Sequence, residues 1–294
     1  MRLPTLVLER RGPVLTVRVS NPPDDLLDGR VISDLDVVGR RLLRDRSIRA
    51  VIVTGPRPGV FIPHYDIAEI ADGAEALGLA TPYAGARASL GVLKALRHVP
   101  GAYGLLRHTP LAPALDLPFT HAVLGRFSRL PQVVIAAIDG DAMGGGCEVS
   151  LACDIRLMAD GDHRIGLPEL STGIPPGAGG TQRLAQVVGP GRAVAMVLQA
   201  RVLTPQQALS SGLVDQVCED VQAAAMDVAR RVAAWNPMAV RSAKRAMLPP
   251  RGLDVEAAGF MATASHAEAI TRMRDFGALP QSPWRDRSSV QERT

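Results

Sequence analysis

The sequence predicts an α/β protein, a parallel-sheet core followed by a mostly helical C-terminal part. Three observations carry this. "VLTVRVS", "ISDLDVVGRRLLRD" and "RAVIVTG" follow one another at the spacing of a β-α-β unit. "QVVIAAIDG" (residues 132–140) reads as a buried strand that runs into three glycines. Beyond Pro190, pieces such as "AVAMVLQA" and "VQAAAMDVARRVAAW" have helical periodicity.

Each element follows in order. Residues 14–20 alternate like a half-buried strand, and "NPPDD" marks a turn. Leu35, Val38, Leu42 and Leu43 then share one helical face, with Ser33 or Asp34 as the expected cap. "RAVIVTG" is a short continuous apolar strand. Residues 71–129 are less regular. "ASLGVLKALRHV" and "FTHAVLGRF" look helical, and prolines at 82, 100, 110, 113 and 118 are expected to break the pieces. This stretch reads as a covering helical insertion, with Leu90, Leu93, Leu96, Leu105 and Leu106 as its apolar residues. "DIRLMAD" and "HRIGL" read as short strands, and "PPGAGGTQRLAQVVG" as a loop entering a helix. The division expected is an α/β core over residues 1–200, with the insertion at 71–129, and a helical region over 201–294. The polar tail after Pro280 is expected to be loose.

Composition narrows the function. A net charge of +4 suits an anionic small-molecule substrate. Aromatics at 3% leave few stacking platforms, and the arginines are dispersed, which argues against nucleic acid. No apolar run approaches the roughly 18 residues of a membrane span. "MRLPTLVLERRG" becomes charged too soon for a secretory signal. Three cysteines without paired spacing argue against a disulfide framework or a zinc site, so a reduced, cytoplasmic protein is expected. His98, His108, His121, His163 and His266 show no metal spacing, and no metal is expected.

The chemistry centres on "AMGGGCEVSLACD" (residues 142–154). Gly144, Gly145 and Gly146 are poor helix formers standing where a strand becomes a helix, so they suggest a backbone that something approaches closely. Free N–H groups and the positive dipole end belong to such a helix start. Glu148 follows the glycines at the head of an apolar helix, and Glu169 stands in "IGLPEL". Two carboxyl groups around one substrate can divide acid and base work. Cys147 has no evident base and reads as a packed residue. "PPGAGGTQRL" lacks the Lys-Ser/Thr ending of a phosphate loop, so it reads as a turn that positions Glu169.

"IAAIDGDAMGGGCEVSLACDIRLMAD", "GLPELSTGIPPGAGGTQRL" and "LTPQQALSSGLVD" resemble the signature blocks of the enoyl-CoA hydratase (crotonase) superfamily. The resemblance runs from about residue 14 to 217 and weakens over 71–129. It implies a crotonase-like fold of repeated β-β-α units with a helical trimerisation region. It also implies acyl-coenzyme A thioester substrates, no separate cofactor, and a homotrimer or dimer of trimers. Tyr65 and Gly145 match the two backbone donors of the family's oxyanion hole. Glu148 and Glu169 match the hydratase glutamates. His64, Asp66, Ile67, Gly144, Pro168 and Gly177 fall at substrate-binding positions. The activity implied is addition of water across an α,β double bond. An isomerase or thioester hydrolase using one glutamate, or a non-catalytic acyl-CoA-binding member, is the alternative.

The chain departs from the family pattern at "FIPHYDI", where Pro63 and His64 replace a small residue and a glycine. His64 either packs away from the site, or contacts the acyl group and shifts a nearby carboxylate. Ala68 stands where related hydratases often carry a lysine.

Overall fold

Strands β1 (Leu6–Arg11) and β2 (Val14–Val19) form an antiparallel hairpin, paired from Leu6↔Val19 to Arg11↔Val14. The structure, a computed structural model, describes residues 3–78, 81–96, 99, 105, 112–247, 258, 260–262 and 264–278. Expectations for Leu106, His98, His108, Pro100, Pro110 and the tail after Pro280 fall outside these residues.

From β2 onward the sheet is parallel. β3 (Ala50–Thr54) lies beside β2, β4 (Val133–Ile138) beside β3, β6 (Ile155–Ala159) beside β4, and β9 (Gln216–Cys218) at the edge. A parallel sheet is covered on both faces, so its strands are apolar throughout. All five residues of β3 are buried, and they alternate between two cores. Val51 and Val53 join Val17, Val134 and Ala136 on one face. Ala50 and Ile52 join Ile135 and Leu157 on the other, under helix α9 (Val221–Ala233) through Val221, Ala225 and Ala229. A second, three-stranded sheet is made of β5 (Ala142–Met143), β7 (Ile165–Gly166) and β8 (Val202–Leu203).

Helix α1 (Gly29–Leu42) begins one turn earlier than expected, and neither Ser33 nor Asp34 caps it. Asp28 accepts the Val31 amide at 2.8 Å. Ser33 donates its hydroxyl to the Gly29 carbonyl, and Asp34 accepts from the backbone and hydroxyl of Thr5. Val31 and Ile32 are fully buried, so extending the apolar face by a turn outweighs the poor helix propensity of Gly29.

Among the described residues, helices α2 (Ile67–Leu77), α3 (Tyr83–Leu96) and α4 (Ala112–Ser128) cross residues 67–128. Pro118 does not break α4; it lies inside it. Proline removes one helical hydrogen bond, but Leu115, Val123, Leu124 and Phe127 of the same helix are buried. Each such large side chain contributes about 1.5–3 kcal/mol, which outweighs the break.

After β5 comes α5 (Gly145–Leu151), then a 3-10 turn (Glu169–Thr172), α6 (Gly180–Val188), α7 (Pro190–Leu198) and α8 (Pro205–Ser211). α10 (Pro237–Met247) and α11 (Ala267–Gly277) complete the described chain. Lys244 reaches back to Asp154 at 2.6 Å and to the Gln132 carbonyl at 2.7 Å, which ties α10 to the sheet.

Candidate active site

The three glycines are required by the fold. Gly144 has φ +50° and ψ −115°, a conformation that L side chains rarely adopt. A Cβ on Gly145 would stand 3.0 Å from the Leu27 and Tyr65 side chains and 3.1 Å from the Tyr65 nitrogen. A Cβ on Gly146 would stand 1.9 Å from the Ile62 carbonyl oxygen. The glycines therefore admit the 62–65 segment of the protein itself against the start of α5.

That packing sets two amides side by side. Residues 64–66 are held by Leu27, whose amide donates to the His64 carbonyl at 2.9 Å and whose carbonyl accepts from Asp66 at 2.7 Å. The Tyr65 amide lies between these bonds. The Gly145 amide is at the first position of α5, where no intrahelical acceptor exists. Neither amide has an acceptor among the described residues.

Glu148 is buried, 3% exposed, on α5. Its Oε1 accepts the Ala178 amide at 2.7 Å and the Gly180 amide at 2.8 Å. Two amide donors on one carboxylate oxygen fix where the carboxyl sits. The "PPGAGG" loop therefore holds Glu148, where the sequence suggested Glu169. The loop is itself held by two buried side chains. Arg183 donates to the Ala178 carbonyl at 2.7 Å, and the His121 Nε2 meets the Gly177 carbonyl at 2.5 Å. Glu169 opens the 3-10 turn behind Pro168, with its carboxyl 3.4 Å from where a Cβ on Gly144 would lie.

These groups face one cavity of about 170 Å³. His64, Tyr65, Ile67, Gly144, Gly145, Glu148, Pro168, Glu169 and Gly177 all line it. Asp66 is the exception: it caps α2, accepting the Ala68 and Glu69 amides at 3.0 and 3.2 Å, and is not among the lining residues. The His64 Nδ1 meets the Tyr65 carbonyl at 2.7 Å, and its ring meets Phe276 edge-on at 5.9 Å. Burial lowers the pKa of His64, which favours the neutral ring. Cys147 is fully buried and its thiol is pushed well up, so it packs rather than attacks.

The structure adds residues that sequence reasoning missed. Leu77, Asp116, Leu117 and Thr120 of the 71–129 stretch line the cavity, whereas Leu90 packs with Ala258 against the lining residues Leu117 and Met261, and Leu105 is exposed. Phe260 and Met261 reach in from the C-terminal region. Phe260 lies over Gly177, where a Cβ would come within 2.3 Å of its ring. Glu69 also faces the cavity. No signal for it stands in the sequence, because Glu69 does not share the helical face of Ile67, Ile70, Ala71 and Ala74. Among the described residues, no group of three or more His, Cys, Asp or Glu is placed to hold a metal, and no helix is long and apolar enough to cross a membrane.

The enoyl-CoA hydratase/isomerase family model matches residues 119–276. A short-chain-enoyl-CoA hydratase of Clostridium acetobutylicum is 30% identical over 262 residues, covering 88% of this chain and 86% of that protein. A 2,3-dehydroadipyl-CoA hydratase of Escherichia coli is 42% identical over 124 residues, covering 42% of this chain and 48% of that protein. The crystal structure of an enoyl-CoA hydratase from Bacillus anthracis superposes with a TM-score of 0.66 at 28% identity, covering 83% of this chain and 82% of that one. The parallel sheet, the glycine-opened helix and these likenesses agree: the chain belongs to the enoyl-CoA hydratase/isomerase family.

Proposed function

We propose that the cavity hydrates enoyl-CoA thioesters. The observation that carries this reading is the convergence of two glutamates, Glu148 and Glu169, and two acceptor-free amides, Tyr65 and Gly145, on one cavity. The thioester oxygen sits between the two amides. Ionised Glu148 takes a proton from water as the water oxygen bonds to the β-carbon. The double-bond electrons move to the thioester oxygen, and the amides stabilise the resulting enolate. Protonated Glu169, which contacts the same water, then delivers its proton to the α-carbon. The proton gained by Glu148 replaces the one lost by Glu169 before the next turnover. The amide pair on Glu148 supports its role by holding the carboxyl in one position at the cavity.

No separate cofactor enters this scheme; coenzyme A arrives with the substrate. We infer a homotrimer or dimer of trimers, as the resemblance implies. Exposed Val194, Leu198, Trp235 and Met238 offer apolar surface for such contacts. Loss of enoyl-thioester absorbance with crotonyl-CoA and longer 2-enoyl-CoAs tests the activity. Binding of acyl-CoA without turnover would favour the non-catalytic alternative. Double-bond migration or thioester cleavage without hydration would favour the one-glutamate alternative.

A further inference from the structure

The cavity has a second polar group that the hydration scheme leaves unused. Much of its wall is apolar, including Ile67, Ile70, Leu77, Leu117 and Ile174, and its described lining holds no lysine or arginine. Glu69 interrupts that wall. Its oxygens accept the Gly29 amide at 3.1 and 3.3 Å, and the Tyr65 hydroxyl donates to Oε1 at 3.5 Å. A carboxylate offers about four acceptor sites, so capacity remains toward the cavity. Exposed Asp116 lines the same cavity. The neighbouring cation, Arg30, is engaged by Asp28 at 2.8 Å and by Asn21 at 3.0 Å. Burial pushes the Glu69 pKa up to about 7; the Gly29 amide opposes this, and Asp28, Asp116 and Asp66 add to it. A partly desolvated carboxyl with like charges around it is costly to keep in an apolar wall. A ligand group that donates to it offsets that cost.

We propose that Glu69, with the Tyr65 hydroxyl and Asp116, selects acyl-CoA substrates whose acyl chain carries a hydrogen-bond donor, a hydroxyl or an ammonium, beyond the reacting double bond. This rests on reading the cavity as an enoyl-CoA site. Electrostatics fixes the direction of the substrate. The phosphates of coenzyme A are repelled by the Glu69 and Asp116 carboxyls that line the cavity, so the acyl end, not the nucleotide end, runs toward Glu69. An acyl chain ending in a carboxylate is rejected for the same reason.

The test compares matched 2-enoyl-CoAs of five to eight carbons that end in a hydroxyl, an ammonium, a methyl or a carboxylate. With the full chain, kcat/KM for a donor-ended substrate should exceed that for its methyl isostere by about tenfold, with the carboxylate lowest. Glu69→Leu should reverse the donor-to-methyl preference, and Asp116→Asn should weaken the ammonium preference. Should Glu69→Leu fail to fold, Glu69→Gln, which cannot carry the charge, should lose the ammonium preference. A wild-type preference for the methyl or carboxylate chain overturns the proposal, as does an unchanged ratio in the folded Glu69 variant. Absence of turnover with every enoyl-CoA would instead contradict the hydratase reading. The same ranking is then read from equilibrium binding of the saturated acyl-CoAs, and the order found there decides for or against the Glu69 subsite.

Discussion

The Gly180 amide donates to Glu148 Oε1 at 2.8 Å, and a Cβ on Gly180 would stand 2.8 Å from that same oxygen. The glycine thus supplies a bond and the room to make it. Gly180→Ala should push the Glu148 carboxylate aside and lower kcat by about 10- to 100-fold, since small misplacements of a reacting group are costly. KM should change much less. Wild-type kcat in the folded variant would contradict the role given to the loop.

Gly146 answers to the fold rather than to the substrate. The Cβ of an alanine there would stand 1.9 Å from the Ile62 carbonyl oxygen, a backbone atom that no side-chain rotation moves away. Gly146→Ala should destabilise the protein by about 1–3 kcal/mol or more. Denaturant unfolding measures this, and an unchanged midpoint would count against the packing described.

Gly145→Pro removes one of the two amides proposed to hold the enolate. Removing one such donor typically costs about 10²–10³ in kcat. Activity within a fewfold of wild type in the folded variant would remove Gly145 from the mechanism.

Glu69 gives a stability signature with a definite sign. Burial raises its pKa from the ordinary glutamate range to about 7 in the folded state. A carboxyl raised in this way contributes stability that is fully present below its unfolded pKa and is lost as pH rises through the folded value. Relative to Glu69→Gln, the wild-type melting temperature should therefore fall between about pH 4.5 and pH 7 and level off above that. A difference that rises over this range would reverse the assignment.

Much of the site was legible because it depends on local, strongly constrained residues. The strand, the three glycines and Glu148 stand next to one another in the chain, so a local reading places them together. Glu169 was legible for the same reason. The relation of the "PPGAGG" loop to Glu148 was not, because about thirty residues separate donor and acceptor, and only tertiary packing joins them. His121 likewise shows its role only when α4 is laid beside Gly177. The start of α1 was misjudged because Gly29 and Arg30 look unlike a first helical turn, while the burial of Val31 and Ile32 that decides it is a tertiary fact. Pro118 misled for a related reason: propensity is local, whereas the buried face of α4 is not.

The most direct test of the central claim is the kcat of Glu148→Gln, Glu169→Gln and the double variant on crotonyl-CoA. General acid–base groups contribute about 10²- to 10⁴-fold each, and each single variant should lose a factor in that range with acyl-CoA binding nearly unchanged. Groups that act on one water work as a unit, so the double variant should lose far less than the product of the two single losses. Full hydratase activity in either folded single variant, or losses that multiply in the double variant, would contradict a mechanism in which both glutamates serve one water.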